Sequence, residues 1–250
     1  MLKVRIFLIA VLITIIPFIG VAQKLRVAVA ANAQFVAQVL VEAFKTKSGI
    51  DAELIVSSSG KLTAQIEQGA PFDIFLSADM KYPQELYTKK FSTAKPQVYA
   101  YGTLVIWSKK QLVLRKGIQS LTNPEVQKIA IANAALAPYG EAAEQAIERS
   151  KLLAQLKPKM VYGESIAQVN QYLLTGAADV VFTAKSVVLD PAQQNKGNWI
   201  EVNANLYEPI AQGVVLLNSS TGKNLVQAKQ FYKFLFGTNA KQIFKKYGYK

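Results

Sequence analysis

Short apolar runs alternate with segments of helical spacing along most of this chain. Leu25-Arg26-Val27-Ala28-Val29-Ala30 reads as a buried strand. Val36, Val39, Leu40, Ala43 and Phe44 then recur on one face of a helix from Gln34 to Thr46, which Gly49 closes. Ala52 to Val56 is a second strand, and Leu62 and Ile66 mark a helix that Gly69 stops. Ile74-Phe75-Leu76 is a third strand, with Asp79 placed to cap a helix taking in Pro83 to Lys89. Tyr99 to Trp107 is one long extended run, suited to leaving a first lobe. Ile129 to Ala132, Met160 to Tyr162 and Ala178 to Phe182 are further strands, with helices from Glu141 to about Lys151 and from Ile166 to Leu174 between them. Asn198 to Val202 and Ile210 to Leu217 are the last strands, followed by helices from Leu225 to Phe236 and from Ala240 to Tyr247. Strand and helix alternate, which predicts an α/β fold with largely parallel sheets. No segment is long or polar enough to be a linker between independent domains, so two lobes joined by crossing strands are expected.

The first residues stand apart from this pattern. Lys3 and Arg5 precede an apolar run from Ile6 to Val21, and Gly20-Val21-Ala22 puts small residues before Gln23. This reads as a signal peptide, 1–22, with an uncleaved membrane anchor as the alternative. The chain has no cysteine, so its stability rests on its core rather than on disulfides, and no lipid can be attached at the cleavage site. A freely diffusing, monomeric periplasmic protein is expected. The absence of histidine removes Ser-His-Asp and Cys-His nucleophilic sites and the usual zinc ligands.

The 250 residues carry a net charge of +13, which falls to +11 without Lys3 and Arg5. Such a balance favours anionic partners. Nucleic acid is excluded by the pattern: the lysines are scattered singly or in pairs (Lys45, Lys47, Lys109-Lys110, Lys157, Lys159, Lys245-Lys246), with no stripe interleaved with aromatics.

The candidate chemistry sits in the strand-to-helix turns. Ser57-Ser58-Ser59-Gly60-Lys61 opens a helix whose unpaired N–H groups and positive dipole end suit an anion. Its serines either cap the helix or offer their hydroxyls. Asn32, after the first strand, is either an N-cap or an amide donor. Pro138 stands near a helix start, leaving the N–H groups of Tyr139 and Gly140 to face open space. In parallel α/β sheets ligands bind at the carboxyl ends of the strands, where Asn32 and Ser57 to Ser59 both fall. Catalysis is disfavoured: Glu67, Asp73, Asp79, Glu141 and Glu164 occupy positions that suit caps and helix faces. Ferric binding would need adjacent tyrosine ligands, whereas Tyr99 and Tyr101 lie in the crossing strand.

Ala30-Ala31-Asn32, Ser58-Ser59-Gly60-Lys61-Leu62, Gly69 to Asp79, Ile131-Ala132-Asn133, Ala137-Pro138-Tyr139-Gly140 and the closing Phe244-Lys245-Lys246-Tyr247-Gly248-Tyr249 occur in this order. Together they resemble the periplasmic molybdate-binding proteins of ABC importers over essentially the whole mature chain. The resemblance implies a two-lobed, type II periplasmic binding protein fold, each lobe a mostly parallel sheet flanked by helices, with the ligand in the inter-lobe cleft. It implies lobes of 23–102 with 206–250 and of 103–205, capture of molybdate or tungstate without a cofactor, and delivery to an importer permease. Another tetrahedral oxyanion such as sulfate is the alternative. Carried over by residue, the ligand positions are Asn32, Ser59, Tyr139 and Ile166, with Ala31, Ser58, Lys61 and Phe182 as secondary positions. Phe182 stands where some members place a ligand tyrosine, so that hydroxyl is missing here.

Overall fold

The computed structural model describes residues 24–92, 94–110 and 114–250; the expected signal segment lies outside them. Strand β1 (Leu25–Ala30) passes through a 3-10 turn, Ala31–Ala33, into helix α1 (Gln34–Ser48). Next come β2 (Ala52–Ser57), α2 (Ser59–Glu67), β3 (Ile74–Leu76) and α3 (Lys81–Thr88). Strand β4 (Gln97–Gly102) leads directly to β5 (Leu104–Ser108). After a 3-10 segment, Leu114–Thr122, the chain forms β6 (Ile129–Ala132), α4 (Pro138–Arg149), α5 (Leu153–Leu156), β7 (Met160–Gly163) and α6 (Ile166–Thr175). It ends with β8 (Val180–Ala184), α7 (Lys185–Val188), β9 (Asn198–Glu201), β10 (Ile210–Leu216), α8 (Gly222–Leu235) and α9 (Thr238–Lys246).

These strands make two sheets, ordered β2-β1-β3-β10-β4 and β7-β6-β8-β5-β9. The long run from Tyr99 to Trp107 is therefore two strands in different sheets, separated by Thr103 alone. Both sheets are mixed rather than mostly parallel. In each, three strands pair in parallel and two more join antiparallel. The reason is the path of the chain. Strands joined by helical crossovers all end at the same edge of their sheet. Strands β5 and β10 instead enter from the opposite lobe at that edge and must run away from it.

Both faces of the first sheet are covered, which explains why β1 is apolar from Val27 to Ala30. Leu25, Val27 and Val29 pack with α1, α8 and α9, while Ala28 and Phe75 pack with Leu62, Ile66 and Leu86 on the other side. Helix α1 buries Val36, Ala37, Leu40, Val41 and Phe44. Val39, expected inside, is 39% exposed, because the covered stripe runs along the Ala37–Val41 side of the helix.

Phe231 of α8 meets Phe44 of α1 edge-on, with ring centroids 5.1 Å apart, and is 1% exposed. Phe231→Ala should lower stability by about 3–5 kcal/mol, measured as a shift in the urea unfolding midpoint at constant slope.

Candidate functional site

The carboxyl ends of β1, β2, β3 and β6 and the starts of α2, α4 and α6 meet around one small cavity between the lobes. It is lined by Ala30, Ala31, Asn32, Ser58, Ser59, Ala78, Ala137, Pro138, Tyr139 and Ile166. None of these residues carries a charge. The structure thus brings together Asn32, Ser59, Tyr139 and Ile166, with Ala31 and Ser58 beside them.

The two serines do different work. Ser58 is the N-cap of α2, its hydroxyl oxygen accepting from the Lys61 N–H at 3.4 Å. Ser59, the first helical residue, is 1% exposed, and its oxygen accepts from the Ala78 N–H at 3.0 Å. With that lone pair engaged, the Ser59 proton is left to donate. Helix α4 starts at Pro138, earlier than its sequence pattern suggested, and the Gly140 N–H is taken up by the Ala137 carbonyl at 2.8 Å. Only the Tyr139 N–H remains of the two expected there. Ser165 caps α6 by accepting from the Gln168 N–H at 3.3 Å. Among the described residues, the first-turn N–H groups of Ser59, Tyr139 and Ile166 have no protein acceptor. Three positive helix ends thus converge on the cavity.

Asn32 does not cap α1. It lies in the preceding 3-10 turn, 2% exposed, where its amide nitrogen donates to Gln212 Oε1 at 3.0 Å. The Ser186 hydroxyl donates to its carbonyl at 2.7 Å.

Lys61 and Phe182 do not line the cavity. The Lys61 ammonium pairs with Glu164 on the other lobe. Phe182 is fully buried in β8 opposite Ile106 of β5, so the aromatic ring there fills the core of the second lobe. The carboxyl of Asp79, next to Ala78, is turned away toward the Ser77 hydroxyl at 3.0 Å and the Tyr82 N–H at 3.3 Å. Burial raises its pKa, opposed by those two hydrogen bonds.

Behind the cavity lies a network that the sequence reading missed. Gln212 of β10 bonds to Asn32, to the Tyr99 hydroxyl at 2.7 Å and to the Tyr139 hydroxyl at 3.1 Å. Burial pushes the Tyr99 and Tyr139 phenols well above their ordinary range and Tyr249 up to about 12, so all three stay protonated. The available signal was Gln212 itself, a polar side chain interrupting the apolar run from Ile210 to Leu217. Tyr101, next-but-one to buried Tyr99, is 46% exposed, so the two phenols do not pair. The candidate acid–base residues are dispersed: Glu67 pairs with Lys89, and Asp73 accepts from the Arg26 N–H.

The family model for bacterial extracellular solute-binding proteins matches residues 25–250. The molybdate-binding protein ModA of Azotobacter vinelandii is 34% identical over 229 residues, covering 91% of this chain and 90% of that protein. The ModA of Rhodobacter capsulatus is 36% identical over 230 residues, covering 91% and 88%. The solved structure of the Azotobacter vinelandii periplasmic molybdate-binding protein superposes with a TM-score of 0.85 at 34% identity, covering 91% of this chain and 99% of that one. The sulfate-binding protein SubI of Mycobacterium tuberculosis, at 13% identity and a TM-score of 0.70, shares the fold alone. With its two lobes, its cavity between them and a match across nearly all of the described residues, this chain belongs to the bacterial extracellular solute-binding proteins.

Proposed function

We propose that this protein captures molybdate, with tungstate as a near-equivalent ligand, in the periplasm and hands it to the permease of an ABC importer. The observation that carries this reading is the convergence of the Ser59 hydroxyl, the Asn32 amide and the N–H groups of Ser59, Tyr139 and Ile166 on one uncharged cavity. Fixed donors replace the water of a buried dianion without a counter-charge. A site made of donors accepts a fully deprotonated oxyanion and disfavours monohydrogen phosphate, whose proton needs an acceptor. The two relatives named ModA support molybdate as the ligand. We take 23–102 with 206–250 as one lobe and 103–205 as the other. The signal-like segment 1–22 is the basis for a periplasmic location.

Capture proceeds by closure of the lobes on the anion, since only the closed form presents both half-sites at once. In the closed arrangement the Gly60 N–H donates to the Leu136 carbonyl at 2.9 Å, and the Tyr82 hydroxyl donates to the Ala135 carbonyl at 2.9 Å. The Lys61–Glu164 ion pair bridges the same two surfaces at the solvent side. Gly60 is what permits this approach. A Cβ there would lie 2.8 Å from the Tyr82 hydroxyl, 3.1 Å from Leu136 Cα and 3.2 Å from its carbonyl oxygen.

Isothermal titration with molybdate, tungstate and sulfate in phosphate-free buffer tests the proposal. One-to-one binding of the first two with little response to sulfate is expected; silence toward both would overturn it, and preference for sulfate would reassign the ligand. Ser59→Ala should weaken molybdate binding by about 1.5–3 kcal/mol through loss of a hydrogen bond to a charged group, and should also lower apo stability because the Ala78 N–H loses its acceptor; equal affinity would remove Ser59 from the site. Gly60→Ala should have opposite effects on two measurements. Molybdate affinity should fall because closure is obstructed, while apo stability should hold or rise by up to about 1 kcal/mol as a helical glycine is replaced.

A further inference from the structure

Gln212 is fully buried in an otherwise apolar stretch of β10, and its amide is engaged at both ends. The oxygen accepts from Asn32 Nδ2 at 3.0 Å and from the Tyr99 hydroxyl at 2.7 Å. The nitrogen donates to the Tyr139 hydroxyl at 3.1 Å. These partners do not move together. Asn32 and Tyr99 belong to the lobe that holds Gln212, whereas Tyr139 opens α4 on the other lobe.

The crossing strand is shaped around this contact. A Cβ on Gly102, the last residue of β4, would lie 2.0 Å from the Tyr139 hydroxyl and 2.6 Å from Gln212 Nε2. The chain leaves the first lobe at that residue. The interlobe hydrogen bond therefore forms against the hinge backbone, and a side chain at 102 would occupy its place.

We propose that Gln212 is a positioning residue for oxyanion capture, holding the Asn32 amide nitrogen at the cavity and making that orientation depend on lobe closure through Tyr139. The inference rests on the reading of this cavity as the oxyanion site. One N–H of the Asn32 amide is committed to Gln212; the other is the donor that we assign to the ligand, in competition with the Tyr139 and Tyr249 hydroxyls beside it. When the lobes part, the Tyr139 hydroxyl departs and Gln212 Nε2 loses its acceptor, so nothing on the second lobe holds the Gln212 amide in place. Closure restores the bond and, with it, the donor face of Asn32. A buried amide with its partners in place specifies one arrangement, whereas a half-satisfied one destabilises the site.

A double-mutant cycle on molybdate affinity, measured by isothermal titration of the mature protein, tests this. The four forms are wild type, Gln212→Met, Asn32→Ala and the double variant, each checked for apo thermal unfolding. Gln212→Met should weaken molybdate binding by about tenfold. In the double variant the loss should stay within about twofold of Asn32→Ala alone, because Gln212 acts through a group already removed. Gly102→Ala, which separates Tyr139 from Gln212, should reproduce the Gln212→Met loss. A purely structural role would lower apo stability while leaving the two affinity losses independent. Losses that multiply, or Gln212→Met binding like wild type, would overturn the role of Gln212 alone. If Gln212→Met folds poorly, Tyr139→Phe removes only the accepting hydroxyl and runs the same cycle with the same two readings. Failure of wild type to bind molybdate would instead sink the oxyanion reading and this inference with it.

Discussion

The first N–H groups of a helix have no carbonyl within the helix to receive them, and burying them without another acceptor is costly. In this protein the N–H groups of Ser59, Tyr139 and Ile166 are gathered at one cavity, where a capping side chain satisfies none of them. The caps that do exist, Ser58 and Ser165, take the N–H groups two residues further along their helices, those of Lys61 and Gln168. The unmet donors lie on both lobes. Under the proposed function, an anion bonded to them all holds the two lobes together, which would couple its capture to closure.

That coupling depends on how the chain crosses between the sheets. Each lobe sends its helix-linked strands toward the cleft, and the strands that cross from the opposite lobe run against them. Two connections pass between the sheets, Gly102-Thr103-Leu104 in one direction and 202–209, with a 3-10 turn at Ala204–Leu206, in the other. Small residues at the points of closest approach, Gly60 on α2 and Gly102 on β4, let backbone and hydroxyl groups of the two lobes come into bonding distance. Ion pairing plays a lesser part. Lys61 and Glu164 are both substantially exposed, and such pairs contribute little in water.

Behind the cavity lies a buried polar layer that is largely hydrogen-bonded. Gln212, Tyr99, Tyr139 and Asn32 are all buried and hydrogen-bonded to one another. The nearby Tyr249 hydroxyl is buried among Ser186, Asn32 and Gln212. Phenols pushed upward by burial remain neutral donors and acceptors, so the surroundings of the site add no negative charge to compete with an anion. Asp79 fits the same logic, its carboxyl drawn away to Ser77 and Tyr82.

Strand order in the sequence, the alternating apolar runs and the position of Ser59 and Tyr139 at helix starts were all legible from residue pattern alone, because hydrophobic periodicity and cap chemistry are local properties. The α/β class and the placement of candidate donors at strand ends follow from that. The direction of β5 and β10 does not, since it depends on which lobe the chain has just left. Nor does the role of single residues whose partners are distant in sequence. Asn32, by sequence either a cap or an amide donor, donates to Gln212, 180 residues away. Lys61, a secondary ligand position by resemblance, pairs with Glu164. Phe182 stood at a ligand position by resemblance and lies in the core. Gly140 looked like a free donor, but α4 begins three residues earlier than its pattern suggested. In each case the deciding contact is formed by chain segments that only folding brings together, and no periodicity along the sequence encodes it.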